Sequence, residues 1–224
     1  MTDPVHPPAE PDSLRPRWRN LAVAGLGAPY ALADAGWDRI VDAYGAEGRA
    51  YHTLGHLSAM LSRLAGRRWR LRDWRGVELA VWLHDVVYDR APGADERASA
   101  ALARAFIAEI DAAVDPRPDR TRAAETAERL ILATIDHTPI GADLDDRLFL
   151  DADLEILAAP PERYAAYAAA IRFEYAAVPE PLFRAGRKQV LERLRDRPAI
   201  YYETSAWEAP ARDNIAAEIA ALEA

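Results

Sequence analysis

The chain has 224 residues, half of them hydrophobic, with 36 acidic against 28 basic side chains and a formal charge of −8. That length suits one domain with a full core, and the acidic balance argues against a nucleic-acid polymer as partner, which needs a basic face for its phosphates. Cysteine is absent, so disulfides, thiolate metal sites, iron–sulfur clusters and cysteine nucleophiles are excluded, and any metal has to sit on His, Asp or Glu.

Residues 1–16 carry five prolines and little apolar content, reading as a disordered tail rather than a signal peptide. Downstream, charge interrupts every apolar stretch well short of the ~18–20 residues of a membrane span, so the expected setting is the cytoplasm, with no membrane partner. From residue 17 on, apolar residues recur at helical spacing, and no run of alternating, β-branched strand sequence is found. The expected fold is all-α, a bundle of roughly nine to ten helices forming one domain over 17–224. The expected helices are 17–26, 30–45, 52–66, 74–89, 95–112, 121–135, 143–158, 161–176, 179–196 and 207–223. Their ends fall at breakers such as Pro29, Gly48, Gly66, Ala91–Pro92–Gly93, Pro116, Pro118, Pro139, Gly141, Pro160–Pro161, Pro179 and Pro198.

Three of these segments carry chemistry. The stretch Arg49–Met60, RAYHTLGHLSAM, holds His52 and His56 four residues apart, a spacing that in a helix puts both imidazoles on one face. Val77–Tyr88, VELAVWLHDVVY, is apolar almost all round yet contains His84 and Asp85 side by side. An unpaired buried carboxylate costs several kcal/mol, so Asp85 requires a strong partner, and a divalent cation is one. The plainer reading is an arginine partner for Asp85 and a core histidine at His84. Arg147–Leu157, RLFLDADLEIL, places Asp151 and Asp153 in another apolar helix. Two residues are about 200° apart around a helix, so one of the two is expected to face an ion. His137 closes the segment LILATIDH, where the alternative to a site role is a helix-terminal histidine favoured by the macrodipole. Asp89, one turn beyond Asp85, and Asp95 with Glu96, opening the next helix, can orient ligands or simply favour a helix N-terminus.

The order His, then His-Asp, then a late Asp, each on a separate helix, resembles the HD superfamily of metal-dependent phosphohydrolases. YHTLGHL is similar to the YHNxxHA signature of cyclic-nucleotide phosphodiesterases, which share that architecture. Over residues 17–223 the chain is most similar to a bacterial family of predicted metal-dependent HD phosphohydrolases, through YHTLGHL, LHDVVYD, ADERASA, LILATIDH, LDADLEIL and FRAGRKQVL. The resemblance implies His56, His84, Asp85 and Asp153 as metal ligands, with Asp151 as the alternative to Asp153. It gives His52 the place of the histidine that protonates the leaving group, and His137 that of a second-metal or substrate residue. The second-metal signals that follow HD in the phosphodiesterases are missing here, which leaves the number of metals open.

What the resemblance implies is hydrolysis of a small phosphoester or nucleotide by a metal-activated water. One or two divalent ions among Mn, Fe, Co, Ni, Zn or Mg suit imidazole and carboxylate ligands. Arg49, Arg187 and Lys188 are candidates for holding the anionic substrate. Homodimerisation is left open. Two alternatives share the fold: a di-iron oxygenase, since the same residues supply five or six donors, and a catalytically silent nucleotide-binding module, against which the intact set of four ligands argues.

Overall fold

The computed structural model describes residues 9–141 and 143–224. Among them regular structure is entirely helical, with ten α-helices and no strand. The first, α1 (Pro11–Arg19), runs on as a π-helical turn, Asn20–Gly25. Then come α2 (Tyr30–Tyr44), α3 (Leu54–Ala65), α4 (Trp74–Leu83), α5 (Ala94–Ala113), α6 (Pro118–Ala133), α7 (Leu144–Asp153), α8 (Pro161–Glu174), α9 (Glu180–Arg195) and α10 (Glu208–Glu223). No described helix is long and apolar enough to cross a membrane.

The boundaries differ from expectation where tertiary contacts compete with helical hydrogen bonds. The first helix starts at Pro11, inside the stretch read as a tail, because proline suits the first helical turn and Leu14 and Trp18, one turn apart, both pack into the core. His6 lies outside the described residues. Helix α3 starts at Leu54 rather than 52, capped by the Thr53 hydroxyl on the Gly55 N–H, so His52 stands ahead of the helix. Helix α4 stops at Leu83 rather than 89: the Asp85 N–H donates to the Tyr44 hydroxyl and the Val87 N–H to the Ser99 hydroxyl, so the ladder cannot continue. The expected helix 143–158 divides at Asp153, where a 3₁₀ turn, Leu154–Ala158, takes over.

Two apolar clusters result. The larger is built from α1 to α7 around the buried rings of Trp18, Trp37, Trp82 and Phe106. Trp82 on α4 meets Trp18 and Trp37 edge-on, with centroids 5.8 and 6.1 Å apart. Such pairs add about 0.5–1.5 kcal/mol each beyond burial. The Trp18 indole N–H donates to the Ala33 carbonyl at 2.7 Å, so its burial leaves no orphaned donor. The second cluster joins α8, α9, α10 and the 3₁₀ turn, and it takes in Tyr51. Since Leu54 and Leu57 belong to the first cluster and Tyr51 to the second, the segment Tyr51–Leu57 crosses the seam between them. The candidate site histidines His52 and His56 lie on that seam.

Helix α4 is held close to α6 at Gly76, where a Cβ would stand 2.5 Å from the Thr126 Cβ and 2.7 Å from Asp73 Oδ2. In an exposed helix Gly→Ala stabilises by ~1 kcal/mol. Here the overlap with a β-carbon close to its backbone reverses the sign, and Gly76→Ala is expected to destabilise by about 1–3 kcal/mol in denaturant unfolding. A stabilised variant would show that the two helices do not pack this closely.

Candidate metal centre

Four helix ends meet at the seam. His56 is on the first turn of α3. His84 and Asp85 follow directly from α4, with the His84 N–H still donating to the Ala80 carbonyl at 2.9 Å. Asp153 is the last residue of α7, and His137 stands four residues past α6 in the loop that leaves it. Three of these ends are C-terminal and carry partial negative charge, each favouring a nearby cation by ~0.3–1 kcal/mol.

The donor atoms converge. His56 Nε2 lies 3.2 Å from His84 Nε2, His84 Nε2 lies 3.0 Å from Asp85 Oδ2, and Asp153 Oδ1 lies 3.2 Å from His56 Nε2 and 3.7 Å from His84 Nε2. Ligand atoms of His56, His84 and Asp85 all fall within 4.8 Å of one another. Donors sharing one ion at ~2.0–2.2 Å must sit ~3–4.2 Å apart, so these separations match a common ion closely. The His84 tautomer sharpens the point. Its Nδ1 is 3.0 Å from the Val81 carbonyl oxygen, which can only accept, so Nδ1 carries the hydrogen. That leaves the Nε2 lone pair facing an Asp85 carboxylate oxygen at 3.0 Å, two acceptors in contact, with His56 Nε2 at 3.2 Å. Only a proton or a metal cation resolves such a contact.

The electrostatics describe the proton alternative. Burial disfavours a charged His84, but the adjacent Asp85 carboxylate outweighs it and raises the imidazole to about 9. Burial likewise opposes ionisation of Asp85 and Asp153. The His84 and His52 charges still draw Asp85 down, and hydrogen bonds from His137 and His56 hold Asp153 well below the ordinary carboxylate range. His56 is lowered by burial, only partly offset by Asp153, which favours the neutral ring. A cation held there would take the place of the His84 proton. His56, His84 and Asp85 could hold a divalent ion, with Asp153 beside both imidazoles.

His137 Nε2 lies 3.2 Å from Asp153 Oδ2, so the two Asp153 oxygens face different imidazoles. A carboxylate placed this way can hold one ion through Oδ1 and address a second position through Oδ2. His52 does not share a helix with His56, yet the chain's turn brings the rings to 6.0 Å. Its Nε2 points toward the centre, 3.9 Å from Asp85 Oδ2, and its Nδ1 meets Glu174 Oε2 at 2.7 Å.

Glu174, at the end of α8, was not among the expected site residues. Its buried carboxylate accepts the N–H groups of Ala50, Tyr51 and His52 at 2.7, 2.7 and 3.0 Å, the His52 ring, and the Tyr88 hydroxyl at 2.8 Å. Burial alone would raise this carboxyl; the His52 hydrogen bond and charge, with the backbone donors, bring it to about 2. The residue lies 122 positions from His52, and nothing in the local sequence RFEYAA marks it.

The remaining expected residues lie elsewhere. Asp151 is fully buried and accepts the N–H groups of Tyr202 and Glu203 at 2.7 and 2.9 Å, fixing the loop before α10. The Asp89 side chain is exposed, its backbone N–H bonded to Asp95. Glu96 closes the start of α5 on the Gly93 N–H. Arg49 donates to the carbonyls of His52 and Val86 between the rings of Tyr44 and Tyr88, Arg187 pairs with Glu218, and Lys188 pairs with Glu223. The three expected anion holders are thus engaged with other groups, Arg49 shaping the His52 turn.

Family models, curated proteins and solved structures were compared with the chain, and none matches.

The contrast between the two α7 aspartates is measurable. Asp153→Asn is expected to weaken divalent-ion affinity by ~10-fold or more in chelator competition. Asp151→Asn should mainly lower stability, by about 1–3 kcal/mol, through its loop hydrogen bonds. Equal effects on affinity would mean that Asp153 is not a ligand.

Proposed function

We propose that this chain is a metal-dependent hydrolase of small phosphoesters or nucleotides, of the HD type its motifs resemble. The observation that carries the reading is the clustering of ligand atoms of His56, His84 and Asp85, with Asp153 beside both imidazoles, from three separate helix ends. A divalent ion there (Mn, Fe, Co, Ni, Zn or Mg) would lower the pKa of a water and offset charge developing at phosphorus.

The chain's own residues supply the rest. His56 and His84 are buried and fix the ligand geometry, His84 through its Nδ1–H on Val81. Asp85 and Asp153 provide the negative charge and are the more open side of the cluster, with His52 beside them. Burial lowers the His52 imidazole, but Asp85 and Glu174 more than reverse this and raise it above its ordinary value, which favours its protonated form. Glu174 holds Nδ1–H, which leaves Nε2–H to be donated to the oxygen leaving phosphorus as the P–O bond breaks. The pairing resembles other acid–base histidines whose far nitrogen is set by a carboxylate.

His52→Ala is expected to retain metal by elemental analysis and to lower kcat on an alkyl phosphoester by ~10²–10⁴-fold, with a smaller fall on a p-nitrophenyl ester, whose leaving group needs little protonation. Glu174→Gln should follow the same pattern, since an amide facing Nδ1 favours the wrong tautomer. Equal losses on both esters would remove His52 as the acid. Absence of turnover across a phosphoester panel by the metal-loaded chain would remove the hydrolase reading.

A further inference from the structure

His137 is one of two non-glycine residues with a left-handed backbone among those described, at φ 51°. L side chains rarely adopt that region, so the surrounding structure must hold it there. The His137 ring is 30% exposed and its Nε2 meets Asp153 at 3.2 Å. The held backbone at this residue is therefore one determinant of where the ring stands.

We infer that Arg197, assisted by Tyr202, is the positioning residue that presents His137 to the metal cluster by gripping its backbone. Arg197 Nη1 donates to the His137 carbonyl at 3.0 Å and Nη2 donates to the Asp136 carbonyl. Those two carbonyls belong to the peptide planes on either side of the His137 Cα, so one planar guanidinium constrains both φ and ψ of that residue. The Tyr202 hydroxyl adds a second donor to the His137 carbonyl at 3.3 Å.

The strap is itself anchored. The N–H groups of Tyr202 and Glu203 end on Asp151, those of Ile200 and Tyr201 on Glu208, and Arg212 holds the Arg197 carbonyl at 2.9 Å. Asp151 stands two residues before Asp153 on α7, so the circuit closes on the helix where it began: Asp153 to the His137 ring, His137 backbone to Arg197 and Tyr202, and Tyr202 back to Asp151. The placement gives Asp151, which faces away from the cluster, an indirect part in it. The inference rests on the metal reading for its consequence but not for its geometry.

Two arms test it. In the first, Co(II) and Zn(II) affinities are measured by chelator competition for the parent chain, Arg197→Met, Arg197→Lys, His137→Ala and the double variant Arg197→Met/His137→Ala, with thermal melting alongside. The expected losses are ~10–100-fold for Arg197→Met and for His137→Ala, no further loss in the double variant, and partial recovery with lysine. Affinity within about twofold of the parent for Arg197→Met, or losses that multiply in the double variant, would overturn the role. The second arm uses no metal: in a crystal structure of metal-free Arg197→Met, His137 is expected to leave the left-handed region and lose Asp153. If His137 keeps both, Arg197 is not what positions it, whatever the metal result. A parent chain that binds neither ion removes the metal reading alone, and the second arm still decides the strap.

Discussion

Asp85 and Asp153 lie where little water reaches them, 19% and 11% exposed, and among the described residues neither forms an ion pair with a lysine or arginine. Carboxylates in such a place need compensation worth several kcal/mol. What surrounds them is imidazole: His52 and His84 at Asp85, His56, His84 and His137 at Asp153. The convergence of α3, α4, α6 and α7 at one point follows from bringing these rings to those two acids. On the proposed reading a divalent cation would compensate His56, His84 and Asp85 at once.

The segments that carry the site are irregular, and irregular backbone next to a core leaves N–H groups to be satisfied. The chain solves this with a repeated device, a carboxylate that collects two or three neighbouring loop N–H groups. Glu174 does so for residues 50–52, Asp95 for 89 and 91, Asp145 for 72 and 73, Asp151 for 202 and 203, and Glu208 for 200 and 201. These five carboxylates thus serve as internal scaffolding. Glu174 combines this task with a chemical one, since the same carboxylate that ties down the His52 turn also sets the His52 tautomer.

The all-helical fold and the HD pair were legible because both are local. Periodicity marks the helices, and two polar residues at the end of VELAVWLHDVVY stand out against their apolar neighbours. The helix ends near the site were not legible, since no glycine or proline lies between Leu83 and Ala91; α4 stops there because Tyr44 and Ser99, from α2 and α5, take the N–H groups the helix would need. His52 and His56 were expected together for the wrong reason: their proximity comes from a turn held by Glu174, not from helical spacing. The choice between Asp151 and Asp153 depended on a loop some fifty residues downstream that claims Asp151. Helical spacing showed only that both could not face one ion.

The most direct measurement is anomalous X-ray diffraction from crystals of the chain incubated with Mn(II) or Zn(II), collected at the metal edge. The expected result is an ion bound by His56 Nε2, His84 Nε2 and oxygens of Asp85 and Asp153 at about 2.0–2.3 Å, with His84 Nδ1 still on the Val81 carbonyl. An ion bound only elsewhere, or no anomalous peak between His56 and His84 at saturating metal, would contradict it.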